Sequence, residues 1–232
     1  MNKLSALHTV FMLFIVLTYA PKAYCASPAW SCTHQGTAII IRYGDIVSQD
    51  VDVIVNAANW DLVGFGGVAQ HIQDRAGSKL IEHIKKNVPL EAPTPDMRPI
   101  RCQTGHAVMT PSFSLGESGI VCIIHTVGPS HDYTPEKQLQ LEQCYMSCLD
   151  IAITTSKPIK QPIDSIAFPA ISTGIYDYPI DKAAQAAAES VITWLNKNPG
   201  KLKKIVFVLW SDTNAKQYGR HLMQNFQTLV AD

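Results

Sequence analysis

Short apolar runs rich in β-branched residues alternate along the chain with longer stretches in which apolar residues recur every three or four positions. The runs 37–43, 51–55, 107–110, 120–125, 165–168 and 204–209 read as strands. Several lack polar alternation, as expected of strands covered on both faces. Residues 67–87, 135–156, 179–198 and 212–230 carry the helical spacing; Pro135 and Pro179 suit a first turn, and Gly200 stops the third helix. The alternation predicts one α/β domain, with a mostly parallel or mixed sheet between helical layers. The stretch 87–103, with Pro89, Pro93, Pro95 and Pro99, reads as a loop excursion rather than a domain boundary. No internal repeat or low-complexity segment interrupts the pattern.

In such a sheet, ligands sit beyond the carboxyl ends of the strands. That brings three loops together: Gly44-Asp45-Ile46 after the first predicted strand, 56–68 after the second and 169–176 after the fifth. Two of them are rich in small residues and feed helices, so their backbone N–H groups can form an anion site for two phosphates without a lysine. Gly64-Phe65-Gly66-Gly67-Val68-Ala69 also fits the G-x-G-x-x-A dinucleotide fingerprint. Eight residues separate it from its strand, however, whereas a dinucleotide-binding turn follows its strand at once. For either glycine loop alone, an ordinary tight turn is the alternative.

With 232 residues, 47% hydrophobic and 16% charged, the chain can bury a sizeable core. Cationic and anionic side chains balance at 19 each, so no basic field draws in nucleic acid by charge. The N-terminus adds a different element. Met1-Asn2-Lys3 is a short basic start, residues 10–17 an apolar core too short to span a bilayer stably, and Ala23-Tyr24-Cys25 a stretch that a signal peptidase accepts. Residues 1–25 therefore read as a signal peptide removed on export to the periplasm or beyond the cell, leaving a domain at 33–232 with no membrane attachment. An uncleaved anchor is the alternative, and Tyr24 makes a poor context for lipid attachment at Cys25. Beyond the signal stand Cys32, Cys102, Cys122, Cys144 and Cys148, without a C-x-x-C pair, so no zinc site is implied. Cys144 and Cys148, one helical turn apart on an apolar face, read as small buried residues; export leaves a disulfide open without fixing its partners.

Six motifs carry a resemblance: Gly44-Asp45-Ile46, VIVNAAN at 53–59, Gly66-Gly67-Val68, TGHAV at 104–108, IHTVGP at 124–129 and FPAISTGIY at 168–176. In this order, and over about residues 37–230, the chain resembles the macrodomain, an ADP-ribose-binding fold. The resemblance implies a three-layer α/β/α sandwich with a mixed, mostly parallel central sheet, acting as a monomer on ADP-ribose or an ADP-ribosylated protein, with no cofactor and no metal. Residues 102–110 resemble the branch that holds ADP-ribosyl hydrolases and O-acetyl-ADP-ribose deacetylases. By this likeness Asp45 accepts a hydrogen bond from the exocyclic amine of adenine, beside the Ile46 amide. Gly66, Gly67 and Val68 present amides to a phosphate, and Ser172, Thr173, Gly174, Ile175 and Tyr176 close over the pyrophosphate from the other side. Asn59 holds the distal ribose, where its amide can donate and accept at once. Asn56 is read as fixing its loop. Trp210 aligns with an aromatic residue that packs on the adenosine, a core position at a strand end being the alternative.

The chain also departs from that pattern. Ala69 stands where the hydrolase branch usually has an aspartate able to orient water, so one route of general-base assistance is missing. Phe65 replaces a common glycine and is expected to stiffen its loop, while His71 and Asp177 stand where small residues are usual. Asp177 is a candidate for the displaced base; the plainer reading is a solvent-facing carboxylate near a helix start, where negative charge is favourable. Two functions follow from these residues: an enzyme that hydrolyses ADP-ribosyl linkages or O-acetyl-ADP-ribose, which the 102–111 segment favours, or a non-catalytic reader of ADP-ribose.

Overall fold

The computed structural model describes residues 29–64, 66–91, 99–154, 162–210 and 212–231; the expected signal peptide, Phe65 and the middle of the 87–103 loop lie outside them. Its strands are β1 (Trp30–His34), β2 (Thr37–Tyr43), β3 (Val53–Ala57), β4 (Ala107–Pro111), β5 (Cys122–Thr126), β6 (Ser165–Phe168) and β7 (Lys204–Leu209). They form a 7-stranded sheet in the order β1-β2-β7-β6-β3-β5-β4. The inner strands β2, β7, β6, β3 and β5 run parallel, and the outer strands β1 and β4 run antiparallel to their neighbours. The helices are α1 (Gly67–Ala76), α2 (Ser78–Asn87), α3 (Pro135–Thr154), α4 (Ile180–Lys197) and α5 (Thr213–Ala231).

The inner strands alternate their side chains between two cores. Val53 and Val55 of β3, Cys122 and Ile124 of β5, and Ile205, Phe207 and Leu209 of β7 face α3, α4 and α5. Ile54, Ile123, Val206 and Val208 face α1 and α2. Both faces are covered, which is why these strands read as unbroken apolar runs. Each buried Val, Ile or Phe contributes roughly 1.5–3 kcal/mol, so the three layers are fixed by the same residues that define the strands. Among the described residues no helix is long and apolar enough to cross a membrane.

Three local features differ from the sequence pattern. Strand β1 is not predicted by it, since Ser31, Thr33 and His34 break the apolar run. It forms because the turn at Gln35 and Gly36, both with positive φ (49° and 79°), folds it back on β2. Trp30 then stacks on Phe226 of α5 with centroids 5.9 Å apart. The single helix expected over 67–87 is two, because Gly77 adopts φ 85° and ψ 172°, outside helical space and accessible to glycine. Asn56 is not a loop residue. It lies inside β3, fully buried, opposite His125 of β5.

That pair belongs to a polar chain crossing three strands. Thr110 Oγ1 of β4 donates to the Pro111 carbonyl (3.2 Å), so at 2.9 Å it accepts from His125 Nε2–H. His125 Nδ1 then accepts from Asn56 Nδ2 at 3.0 Å. Asn56 Oδ1 is buried without a hydrogen-bond partner among the described residues. Burial first, and the charge of His83 second, hold the His125 pKa down from 6.5 to about 3. An unfolded chain takes up this proton near pH 6.5, whereas the folded one resists until about 3. The contribution of neutral His125 is therefore whole above about pH 6.5 and is lost as the pH falls toward 3, at up to about 1.4 kcal/mol per pH unit. In urea unfolding followed from pH 7 to pH 4, His125→Gln should remove this slope, so the stability gap between parent and variant should narrow as the pH falls.

Candidate functional site: a cleft at the carboxyl edge of the sheet

Because the inner strands are parallel, the loops leaving β2, β3, β5, β6 and β7 emerge at one edge, where they bound a cleft of about 480 Å³. That volume suits a ligand of nucleotide size. Its walls are Gly44 and Ile46 after β2, Asn59 and Gly64 after β3, Gly66 to Ala69 at the start of α1, Gly128 after β5, 169–176 after β6, and Trp210 with Asp212 and Asn214 between β7 and α5. Asp212 is the one charged residue among the described lining residues, which include no lysine and no arginine.

Positive potential comes instead from backbone amides on opposite walls. Helix α1 starts at Gly66 with no side-chain cap, so the first-turn N–H groups of Gly67, Val68 and Ala69 are open at the positive end of the helix dipole. Across the cleft Thr173 N–H donates to the Ala170 carbonyl (3.4 Å), whereas the amides of Ser172, Gly174, Ile175 and Tyr176 have no partner among the described residues. The 172–178 turn is held by Tyr178 N–H to the Ser172 carbonyl (3.0 Å) and Asp177 N–H to the Gly174 carbonyl (2.9 Å). This wall leans against the loop after β5 so closely that a Cβ on Gly128 would stand 2.0 Å from Ser172 Oγ and 2.9 Å from Ile171 Cγ2. Ser172 has φ 68°, and its hydroxyl is buried without a partner among the described residues.

At one end of the cleft, Asn59 Oδ1 accepts the Gly64 N–H at 3.0 Å, which leaves the Asn59 Nδ2 donors free. A Cβ at Gly64 would meet Asn59 Nδ2 at 2.2 Å, so any larger residue there would displace the Asn59 side chain. Gln73 of α1 fixes the same loop through the Gly64 carbonyl (3.1 Å). Nearby, the Tyr176 ring lies 6.4 Å from that of Trp60, whose indole N–H donates to Thr104 Oγ1 at 3.3 Å. Burial, and then the charge of Asp61, raise the Tyr176 pKa above its ordinary value, keeping the phenol protonated. At the other end, Asp45 Oδ1 accepts the Val47 N–H (3.0 Å), and His71 Nε2 stands 2.9 Å from the same oxygen. Trp210 is 46% exposed at the end of β7 and so is not a core tryptophan.

The structure thus brings Ile46, Asn59, Gly66, Gly67, Val68, Ser172, Thr173, Gly174, Ile175, Tyr176 and Trp210 into the lining of one cleft. Asp45 is not itself a lining residue but stands in the chain between two that are, Gly44 and Ile46. Asp177 is not among the lining residues; it is exposed, with φ 45°. Ala69 does line it and is buried. Sequence reasoning did not single out Gly64, Gly128, Asp212 or Asn214 as wall residues. Gly128 sits in the IHTVGP motif, and Asp212 carries the signal of a helix cap, accepting the Ala215 N–H at 2.9 Å.

Residues 55–187 match the family model of the Macro domain. The chain belongs to the macrodomain family. An O-acetyl-ADP-ribose deacetylase of Enterobacter sp. (strain 638) is 36% identical over 187 residues, covering 80% of this chain and 94% of that protein. The ADP-ribose glycohydrolase MACROD2 of Xenopus laevis is 36% identical over 185 residues, which cover 79% of this chain and 39% of the longer relative. Among solved structures, the Oceanobacillus iheyensis macrodomain with ADP superposes with a TM-score of 0.71 at 30% identity, covering 87% of this chain and 96% of that one. The Trypanosoma brucei macrodomain in complex with ADP-ribose does so with a TM-score of 0.64 at 28% identity, covering 78% and 68%.

In this macrodomain the five described cysteines are free thiols and stand away from the cleft lining. Burial pushes Cys102 and Cys122 up to about 12 and Cys144 up to about 11, so these thiols are inert at neutral pH. Among the described residues no cluster of His, Cys, Asp or Glu side chains is placed to hold a metal ion. The shape of the macrodomain cleft depends instead on close contact between its walls. A methyl group at Gly128 would have to displace Ser172 and Ile171, so Gly128→Ala should cost about 1–3 kcal/mol of stability in chemical denaturation, the usual range for overpacking.

Proposed function

We propose that this macrodomain binds ADP-ribose and hydrolyses ADP-ribosyl linkages on proteins or the ester of O-acetyl-ADP-ribose. The observation that carries the reading is the pair of open amide arrays, at 67–69 on one wall and at Ser172 and 174–176 on the other, facing each other across a cleft with no lysine or arginine among its described lining residues. Such an arrangement suits a diphosphate held between two sets of dipoles. Asp45, the Ile46 amide and Trp210 then receive the adenine, and Asn59 Nδ2 donates to the distal ribose. The names of the relatives, a deacetylase and a glycohydrolase, support the same chemistry.

Among the described lining residues no carboxylate stands at the Asn59 end. Ala69 offers only a methyl group, Asp177 is exposed and does not line the cleft, and Asp212 lies at the Trp210 end. In this reading the attacking water is therefore held by Asn59 and loses its proton toward the substrate's own phosphate. It adds to the anomeric carbon or to the acetyl carbonyl, and the departing oxygen takes a proton from solvent. Asp177 is left with the plainer role near the start of α4. The second reading, a reader that binds without turnover, is favoured by the same methyl at position 69.

Calorimetry should give a micromolar affinity for ADP-ribose, weakened by about 1–3 kcal/mol in Asp45→Asn, the cost of losing a charged hydrogen-bond acceptor. Release of ADP-ribose from a modified protein, or of acetate from O-acetyl-ADP-ribose, should fall by ~10-fold or more in Asn59→Ala and stay within a fewfold in Asp177→Ala. Tight binding with no turnover by the parent protein would make it a reader; no binding at millimolar ADP-ribose would end both readings. Export is part of the proposal on the strength of residues 1–25. N-terminal sequencing of protein from a producing cell should begin near Ala26, and recovery of Met1 would contradict it.

A further inference from the structure

His71 joins the two groups assigned above to the adenine. Its Nε2 stands 2.9 Å from Asp45 Oδ1, and its ring meets Trp210 edge-on, with centroids 5.8 Å apart and planes at 72°. An ionised carboxylate only accepts, so the imidazole is the donor in this pair. The Val47 N–H occupies the same oxygen at 3.0 Å, while among the described residues Asp45 Oδ2 accepts only from Ser48 Oγ, at 3.2 Å. With about two lone-pair sites per oxygen, Oδ1 is filled and one site remains on Oδ2. Three chain segments meet at this imidazole: the turn after β2, helix α1 and the end of β7. The His71 and Asp45 side chains are each 33% exposed, so the pair is solvent-accessible rather than part of the core, and it adjoins the cleft-lining residues Gly44, Ile46 and Trp210.

We propose that His71 is a specificity-determining positioning residue that fixes the Asp45 carboxylate and the Trp210 ring, so that the cleft selects a 6-aminopurine over a 6-oxopurine. The proposal rests on the ADP-ribose reading. A locked carboxylate with one open site demands a donor from the base, and the neighbouring Ile46 amide demands an acceptor. Adenine supplies both through its amine and N1. Hypoxanthine reverses both, setting a carbonyl against the carboxylate and an N–H against the amide. A carboxylate free to turn could evade the first clash; one held by two donors on the same oxygen cannot do so without breaking them. Removing His71 should therefore lower discrimination as well as affinity, which distinguishes positioning from general support.

The test measures binding of ADP-ribose and of its inosine counterpart, with hypoxanthine replacing adenine, by calorimetry and Trp210 fluorescence. The parent protein should prefer ADP-ribose by ~10-fold or more. In His71→Ala that ratio should fall at least ~3-fold and the emission of the free protein should shift, as expected when a charged hydrogen-bond partner and an edge-on ring contact are lost. His71→Gln, which keeps a donor, should restore most of the ratio. A His71→Ala protein with native circular dichroism and an unchanged ratio would overturn the inference while leaving ADP-ribose binding intact, as would a parent protein that binds both ligands equally. A parent that binds neither would overturn the ADP-ribose reading itself and this inference with it.

Discussion

The cleft depends on the close approach of two backbones, one leaving β5 at Gly128 and one leaving β6 at Ser172. Ser172 Oγ occupies the space a Gly128 side chain would need. It does so in a left-handed conformation, φ 68°, and with no hydrogen-bond partner for its hydroxyl among the described residues. A serine held this way costs about 1 kcal/mol or more in backbone strain alone. It persists because the turn around it is over-determined. The Tyr178 amide returns to the Ser172 carbonyl, Tyr178 is buried, and its hydroxyl donates to Gln138 Oε1 of α3 at 3.1 Å. The core on the α3 side thus holds the amides of Ser172 and 174–176 without partners among the described residues, at the cleft lining, before any ligand arrives. Preorganised dipoles of this kind need no reorganisation when an anion binds.

The sheet explains why this can be done without lysine. Parallel strands buried on both faces send every exit loop to one edge, and α1 points its uncapped start at the same place. Amides can approach an anion closely only where side chains are absent, which the small residues of both loops allow. A lysine would supply more charge but would add a flexible stem to a cleft of about 480 Å³. The neutral composition of the chain, 19 charges of each sign, fits a site that works through dipoles rather than through a field.

Most of this architecture can be read directly from the chain. Strands β2, β6 and β7 fall where the apolar runs put them, because doubly buried strands leave little room for another periodicity. The wall residues could be assigned because they cluster in motifs at strand exits. Strand β1 is invisible because its stability comes from Trp30 on Phe226, a contact 196 positions away in sequence, and not from its own pattern. The split of α1 from α2 turns on one glycine torsion. Asn56 was misplaced because its partners, His125 and through it Thr110, lie on other strands; a buried asparagine inside a strand looks like a turn residue until its register is known. The Asp45–His71 pair belongs to the same class: two polar residues 26 positions apart, linked only by the fold.

The two ends of the cleft are built to different degrees of completeness. At the Trp210 end, the Asp45 carboxylate already accepts from Val47, His71 and Ser48, so its orientation is set before a ligand enters. At the other end Asn59 has its carbonyl occupied by Gly64 and its amide donors open, and the cleft lining includes Tyr176, whose ring lies beside that of Trp60, and the buried Ala69. A group with a single open site rejects ligands that cannot match it, whereas one with several free donors accepts many acceptors at little cost. On the function proposed above, the fold places selectivity at the end assigned to the nucleotide and tolerance at the end assigned to the linkage. That division suits a protein whose substrates share ADP-ribose but differ in what is attached to it, and it follows from where the donors are already occupied.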